Sequence, residues 1–389
     1  MTAADYDVVV IGGGIHGVGV AQAAAAAGHS VLLLERERLA YGTSSRSSKL
    51  IHGGLRYLES AQFGLVRESL REREILLRLA PRLVRRVPFY IPVYRATRRR
   101  PWQIRAGLAL YSVLGGLASG TRFESVPRAQ WNDLDGLDAD GLQAVFRYDD
   151  AQTDDAELTR AVMRSAQTLG AQLRCPANFL SAKWMGDGFK VHYLENDGEK
   201  SCRATTLVNA AGPWVNTVLD RVTPRPSILP VELVQGTHLI LAGEIRRGVY
   251  YVEAPRDGRA VFVMPWQGKT LVGTTETPYD GDPAAVRALP DEIAYLQETL
   301  RHYFPRRDGA LLDSFAGLRV LPPGRGLVFR RPRETVLHPD RPERARLVSI
   351  YGGKLTGYRL AAAKVMRLLQ KSLPVRRPLA DTAKLTLSP

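Results

Sequence analysis

Residues 8–11, VVVI, form an unbroken β-branched run, and a second apolar run follows at residues 31–34. Such runs suit parallel strands buried on both faces. Between them lies an alanine-rich stretch of strong helix formers that ends at Gly28, a natural C-cap. The opening therefore predicts strand, glycine turn, helix, strand. Farther on, residues 65–86 alternate charge with Leu, Ile and Val at helical spacing, and Pro81 is expected to kink or end that surface helix. Residues 104–117 are apolar but too short to span a bilayer. Residues 121–150 read as loop with acidic clusters, and Asp154 or Asp155 then caps a helix over 156–169, stopped by Gly170. Short alternating strands around 179–193 and 204–208 follow. From 230 to 265 the alternation predicts an antiparallel sheet with one face available to roof a cavity. A helix over 291–304, a strand ending in FAGLRVLPPG, and a last strand, Gly-Gly turn and helix over 347–370 complete the pattern. Beyond Ser372 the polar, basic sequence reads as a frayed tail.

The turn after the first strand carries Gly12, Gly14 and Gly17, a G-x-G-x-x-G at the mouth of a helix. The first glycine permits the tight turn. The second lets backbone approach a pyrophosphate, and the third lets the helix pack on the sheet with its positive end toward the phosphates. Glu35, at the end of the second strand, is placed to accept hydrogen bonds from a ribose hydroxyl. Strand, helix and acid at these separations predict a dinucleotide site. They leave FAD and NAD both open, while the carboxylate argues against a 2′-phosphate and so against NADP.

Composition adds bounds. With 389 residues, 45% apolar and 24% charged, the chain has the makeup of a soluble globular protein of two or three domains. Its two cysteines, Cys175 and Cys202, support neither a disulfide framework nor a metal site. A reducing, cytoplasmic setting is expected, and no leader is legible before the first strand. The net charge of +15 favours anionic partners. No nucleic-acid module is visible, which leaves a phosphorylated substrate or an anionic membrane surface. Arg98, Arg99, Arg100 and Arg105 around Trp102, ahead of the apolar 104–117, fit an element docked peripherally on the inner face of the cell membrane. A core helix is the competing reading of the same stretch.

Residues 43–59, TSSRSSKLIHGGLRYLE, are too polar and glycine-rich for a core element and read as a ligand-binding loop. This long motif resembles FAD-dependent glycerol-3-phosphate dehydrogenase, the flavoprotein family that passes electrons to the respiratory quinone pool. LVNAAGPWV at 207–215, GTHLIL at 236–241, GTTETPYDGDP at 273–283 and SIYGGKLTGYR at 349–359 extend the likeness over nearly the whole chain. Members of the family usually continue into a C-terminal helical domain, whereas this sequence stops at Pro389.

The resemblance implies an α/β fold: a glutathione-reductase-like FAD-binding Rossmann domain, with a second α+β substrate domain built on an antiparallel sheet. The flavin domain is expected from 1–64, 151–225 and 341–375, the substrate domain from 65–150 and 226–340, and the tail from 376–389. It implies oxidation of glycerol 3-phosphate by hydride transfer from C2 to FAD, with quinone as electron acceptor. FAD contacts fall to Gly12, Gly14, Ile15, His16, Glu35, Thr43, Ser44, Ser45, Ser48, Lys49, Leu50, His52, Gly54, Ala211, Gly212, Trp214, Gly353, Lys354, Leu355 and Thr356. His238 is the implied base, while Arg56, Arg319, Arg331 and Lys354 hold the phosphate and Tyr57 adds a hydrogen bond. Two departures mark the substrate segment: Ala316-Gly317-Leu318-Arg319-Val320-Leu321 replaces the family's usual Ser-Gly-Val-Arg-Pro-Leu, and FRRPRE leaves the register of Arg331 open. Competing readings are an amino-acid or hydroxy-acid oxidase of the same superfamily and a non-catalytic FAD-binding protein.

Overall fold

The computed structural model describes residues 4–117, 119–322 and 335–389. Two sheets organise it. In the first, Gln172–Arg174, Val31–Leu34, Tyr6–Ile11, Gly198–Asn209 and Leu347–Tyr351 lie side by side in that order, all parallel. Val8, Val9 and Val10 are each fully buried, as the β-branched run requires. Strand alternation divides them between two cores. Val8 and Val10 join the helical layer, and Val9 packs with Phe179, Phe189 and Val191 of an antiparallel meander on the other face.

The helical layer is built on α1 (Ile15–Ala26). Its alanines let it sink between two later helices, so that Ala21, Ala24 and Ala25 are wholly buried. The other helices are α2 (Phe63–Leu79), α3 (Pro101–Leu114), α4 (Asp155–Thr168), α5 (Val215–Leu219), α6 (Pro290–Tyr303) and α7 (Tyr358–Leu369). The neighbours of α1 are α4 and α7. Asp154 caps α4, accepting from Ala156 N and Glu157 N at 3.0 Å each.

The second sheet is mainly antiparallel, with Glu232–Leu241 at its heart, flanked by Lys269–Gly273, Thr277–Tyr279 and Leu311–Leu321. On one side of that strand α6 brings Glu292, whose carboxylate accepts from Gln235, Thr237, Thr275 and Thr277. The opposite side is left to roof a cavity.

Three expectations are corrected. Residues 84–86, read as the end of a helix, and 142–150, read as loop, belong to long strands, Val84–Tyr94 and Leu142–Thr153, paired antiparallel. Pro88 and Pro92 in the first, and the charged Asp149 and Asp150 in the second, hid the strand pattern. The helix read as a solvated face, α2, instead buries Arg73 completely: its guanidinium binds Asp150 Oδ1 at 2.5 Å and the Asp149 carbonyl at 3.0 Å. The tail is not frayed. It straps back over the helical layer, with Leu379 N bonded to Ala26 O and Leu387 N to Leu79 O at 2.7 Å each.

Leu387 is only 3% exposed and belongs to the main apolar core. Leu387→Ala is therefore expected to lower the unfolding free energy by about 2 kcal/mol, the lower end for a buried leucine, since a terminal strap can partly collapse onto the gap. Urea denaturation measures this, and an unchanged midpoint refutes a stabilising strap.

Candidate functional site

Where the carboxyl ends of the parallel strands meet the second sheet, a cavity of about 440 Å³ opens. Crevices at strand ends are where such α/β sheets bind ligands. Its floor is the first glycine turn. Gly12 has φ 107, and a Cβ there would lie 2.6 Å from the Ala210 carbonyl oxygen. A Cβ on Gly17 would lie 1.9 Å from Gly12 O, so turn and helix touch backbone to backbone. The N-terminus of α1 faces the cavity with no cap from Gly14 itself, and Ser44 Oγ takes the Ile15 N–H at 2.9 Å.

Glu35 lines this end of the cavity while also stabilising the turn. Its carboxylate accepts from Gly13 N at 2.6 Å and Glu37 N at 2.8 Å, and burial pushes its proton affinity up against those bonds. Each oxygen keeps a second lone pair for a ribose hydroxyl. At the other end Gly352 and Gly353 are both left-handed, φ 69 and 111, and a Cβ on Gly353 would lie 2.1 Å from His16 Nε2. Both ring nitrogens of His16 are buried without a hydrogen-bond partner, and desolvation pushes its pKa down to about 4. Orphaned polar atoms lining a cavity are fitted to a polar ligand.

The roof comes from the second sheet. His238 is 2% exposed; its Nε2 is 2.8 Å from Ser48 Oγ, and its ring stacks on Phe315 with centroids 4.9 Å apart. Burial, then the cations of Arg319 and Lys49, push its pKa down to about 3. The Arg319 guanidinium reaches Glu276 Oε1 at 3.1 Å and lies 3.4 Å from both Thr275 O and Thr274 Oγ1. Lys354 Nζ sits 3.7 Å above the Tyr57 ring. Thr43 Oγ1 donates to the Leu318 carbonyl at 2.7 Å, tying the ligand loop to the strand that carries Arg319.

The cavity wall thus gathers Gly12, Gly14, Ile15, His16, Glu35, Thr43, Ser44, Ser48, Leu50, His52 and Tyr57 from the first part of the chain. It adds Ala211, Gly212, Trp214, His238, Arg319, Gly353, Lys354, Leu355 and Thr356 from the rest. Four expected residues lie off the wall. Ser45 gives its carbonyl, and Lys49 its ammonium, to a network around Asp155; Gly54 makes a left-handed turn under the Tyr57 ring; the Arg56 guanidinium stands 5.7 Å from the Tyr57 ring centroid. Arg331 lies outside the described residues. Sequence reasoning passed over Arg46, Asn178 and Arg221, which also line the cavity. Arg46 had a signal, standing inside the TSSRSSK motif; the other two come from segments without one.

The pattern of the FAD dependent oxidoreductase family (DAO) matches residues 7–364. The chain is 40% identical to glycerol-3-phosphate dehydrogenase of Pseudomonas aeruginosa over 375 residues, 94% of this chain and 72% of that protein. The chain belongs to the FAD-dependent oxidoreductases, in the glycerol-3-phosphate dehydrogenase family. It is also 39% identical to D-erythritol 1-phosphate dehydrogenase of Brucella abortus, over 95% of this chain and 74% of that one. Among solved structures, glycerol-3-phosphate dehydrogenase from Bacillus halodurans complexed with FAD superposes with a TM-score of 0.75 at 28% identity, covering 98% of this chain and 68% of that one. The cofactor is FAD. The two glycine turns, the N-terminus of α1, the accepting carboxylate of Glu35 and the unpartnered His16 are a polar set and a bare-backbone cradle that fit it.

A side chain at Gly14 would meet only Ser44 Oγ, 3.1 Å from its Cβ, so a substitution there spares the fold. Gly14→Val is expected to give a folded protein that purifies colourless, its branch standing where the pyrophosphate must approach. Flavin absorbance against protein concentration measures this, and stoichiometric FAD in the variant refutes the cradle.

Proposed function

We propose that this chain oxidises sn-glycerol 3-phosphate to dihydroxyacetone phosphate and passes the electrons to a quinone. The observation that carries the reading is that His238 and Arg319, on adjacent strands of the roof, share one cavity with the FAD cradle. The names of the relatives agree with it.

Oxidising a secondary alcohol needs a hydride acceptor beside C2, a base for the hydroxyl proton, and cations that hold the phosphate so that C2 faces the acceptor. Bound FAD supplies the two-electron acceptor. Arg319 and Lys354 bind the phosphate, and Tyr57 lies under Lys354 and orients its ammonium. The Arg56 guanidinium, 5.7 Å from the Tyr57 ring centroid, steadies that ring. His238 takes the hydroxyl proton. Burial, with the cations of Arg319 and Lys49, holds its pKa down at about 3. A phosphate dianion beside Arg319 offsets one of the two cations that hold it down, so the base strengthens when substrate binds.

A second reading rests on the near-equal identity to the D-erythritol 1-phosphate enzyme: a longer polyol phosphate could use the same base and phosphate cations. An anaerobic screen of glycerol 3-phosphate, erythritol 1-phosphate, amino acids and hydroxy acids, read by flavin bleaching, separates these readings. Bleaching by none of them would favour a non-catalytic flavoprotein.

The quinone reading follows from the family resemblance, and a membrane surface is the natural meeting place. Trp102, Val113 and Leu117, on α3 and just beyond it, are 69%, 60% and 61% exposed, while Leu108 and Tyr111 on its inner face are buried. Of the flanking arginines, Arg99 is already held by Glu59 and Glu253, which leaves Arg98, Arg100 and Arg105 for anionic headgroups. Among the described residues no helix is long and apolar enough to cross a membrane.

Arg319→Leu is expected to keep its FAD and to lose at least about 30-fold in kcat/KM for glycerol 3-phosphate, on the order of 2 kcal/mol or more for a lost charge-assisted contact. Glycerol, which lacks the phosphate, is expected to be far less affected. Equal losses toward both alcohols would assign Arg319 to the reacting carbon instead.

Sedimentation with anionic vesicles is expected to weaken with salt and with Trp102→Glu, because attraction between exposed charges is screened over about 10 Å at 0.1 M salt. Equal binding to neutral and anionic vesicles would exclude the charge-assisted docking.

A further inference from the structure

Lys49 stands in the ligand-binding loop, yet its side chain turns away from the cavity. Its backbone is left-handed, φ 61, a conformation uncommon outside glycine and one that tends to mark functional sites. Its ammonium donates to Asp155 Oδ1 at 2.6 Å and to the Ser45 carbonyl at 2.5 Å. Asp155, the first residue of α4, is wholly buried, and its Oδ2 accepts from Ser47 N at 3.0 Å and Ser47 Oγ at 2.7 Å. One carboxylate therefore grips the residues on both sides of Ser48. Ser48 is left to present its hydroxyl to His238 Nε2, 2.8 Å away. The same lysine reaches His238 by a second route, since its Nζ lies 5.3 Å from the centroid of Phe315, the ring on which His238 stacks.

A buried ion pair is weak evidence of a stability role, because well-packed apolar side chains often do as well. We propose that Asp155 and Lys49 form a positioning clamp that holds Ser48 against His238 and so sets the tautomer and basicity of that imidazole. The proposal rests on the reading of His238 as the proton acceptor. Nδ1 of His238 is buried with no hydrogen-bond partner. A proton carried there would be an unmatched N–H, whereas a proton on Nε2 is donated to Ser48 Oγ and leaves Nδ1, on a ring that lines the cavity, as the basic nitrogen. As the base, His238 would take the hydroxyl proton on Nδ1 as the substrate O–H bond breaks, with bound FAD as the acceptor of the C2 hydride. The resulting imidazolium keeps its Nε2–H on Ser48.

The charges around His238 fix the sign of a test. Lys49 with Asp155 acts across Phe315, Arg319 with Glu276 acts from the neighbouring strand, and Glu292 lies on the far face of the His238 strand, held by Thr237. Lys49 and Arg319 disfavour the charged imidazole. Removing the Lys49 charge therefore makes His238 easier to protonate. The acid limb of the rate profile moves to higher pH, because activity requires the neutral ring.

The test uses the FAD-loaded enzyme, with glycerol 3-phosphate as substrate, and [15N]histidine labelling read by long-range 1H–15N spectra; His238→Gln identifies the His238 signal. In the unmodified enzyme the Nε2–H tautomer is expected. Ser48→Ala is expected to scramble the tautomer and lower kcat at least about ten-fold with little change in KM. Lys49→Met is expected to shift both the acid limb and the His238 titration upward by at least about one pH unit with full FAD content, and Lys49→Arg to restore them. An unchanged tautomer in Ser48→Ala, or an unmoved titration in Lys49→Met, overturns the clamp. If His238→Gln stays active, the base reading fails, and the spectra still decide whether the clamp sets the ring.

Discussion

The cavity depends on one contact of backbone with backbone. Gly12 lies against the Ala210 carbonyl, and Gly17 against the Gly12 carbonyl, so closely that a methyl group on either would collide. Because no side chain separates them, the strand Tyr6–Ile11, α1 and the end of Gly198–Asn209 close on one another and leave their polar groups facing a common crevice. The alanine run of α1 serves the same constraint one layer out, since small side chains let α4 and α7 press in from both sides. A larger residue anywhere in this interface would move the helix N-terminus away from where a pyrophosphate must lie.

On this cradle the second sheet lowers a roof whose charge is balanced locally. Arg319 is matched by Glu276, Lys49 by Asp155, and Arg73 by Asp150. The formal charge of +15 therefore gives a poor account of the site itself. Much of the excess lies on the surface, where it acts on encounter with anions rather than on chemistry. Inside, burial first and then the cations of Arg319 and Lys49 disfavour the charged form of His238, and on the proposed reading a phosphate beside Arg319 would relax that balance.

Most of the first half-site was legible because its information is local. Glycine spacing, the β-branched strand and the acid at Glu35 each fix geometry within a few residues. The long strands Val84–Tyr94 and Leu142–Thr153 were illegible for the opposite reason: their prolines and buried charges make sense only against each other and against α2 and α3. The tail misled in the same way, because its polar composition conceals Leu373 and Leu387, which are buried only once the helical layer exists.

By itself, then, the sequence determined the α/β class, the dinucleotide turn, the second Gly-Gly unit and the loop over 43–59, all properties carried by backbone conformation and residue size. Only the tertiary structure decided where each cation points. Lys49 turns inward and Lys354 lines the cavity, because Asp155, 106 residues from Lys49, offers a buried carboxylate to the first, whereas the second follows two left-handed glycines at the cavity edge. A long charged side chain goes to whatever countercharge folding brings within reach, and sequence spacing does not encode that distance.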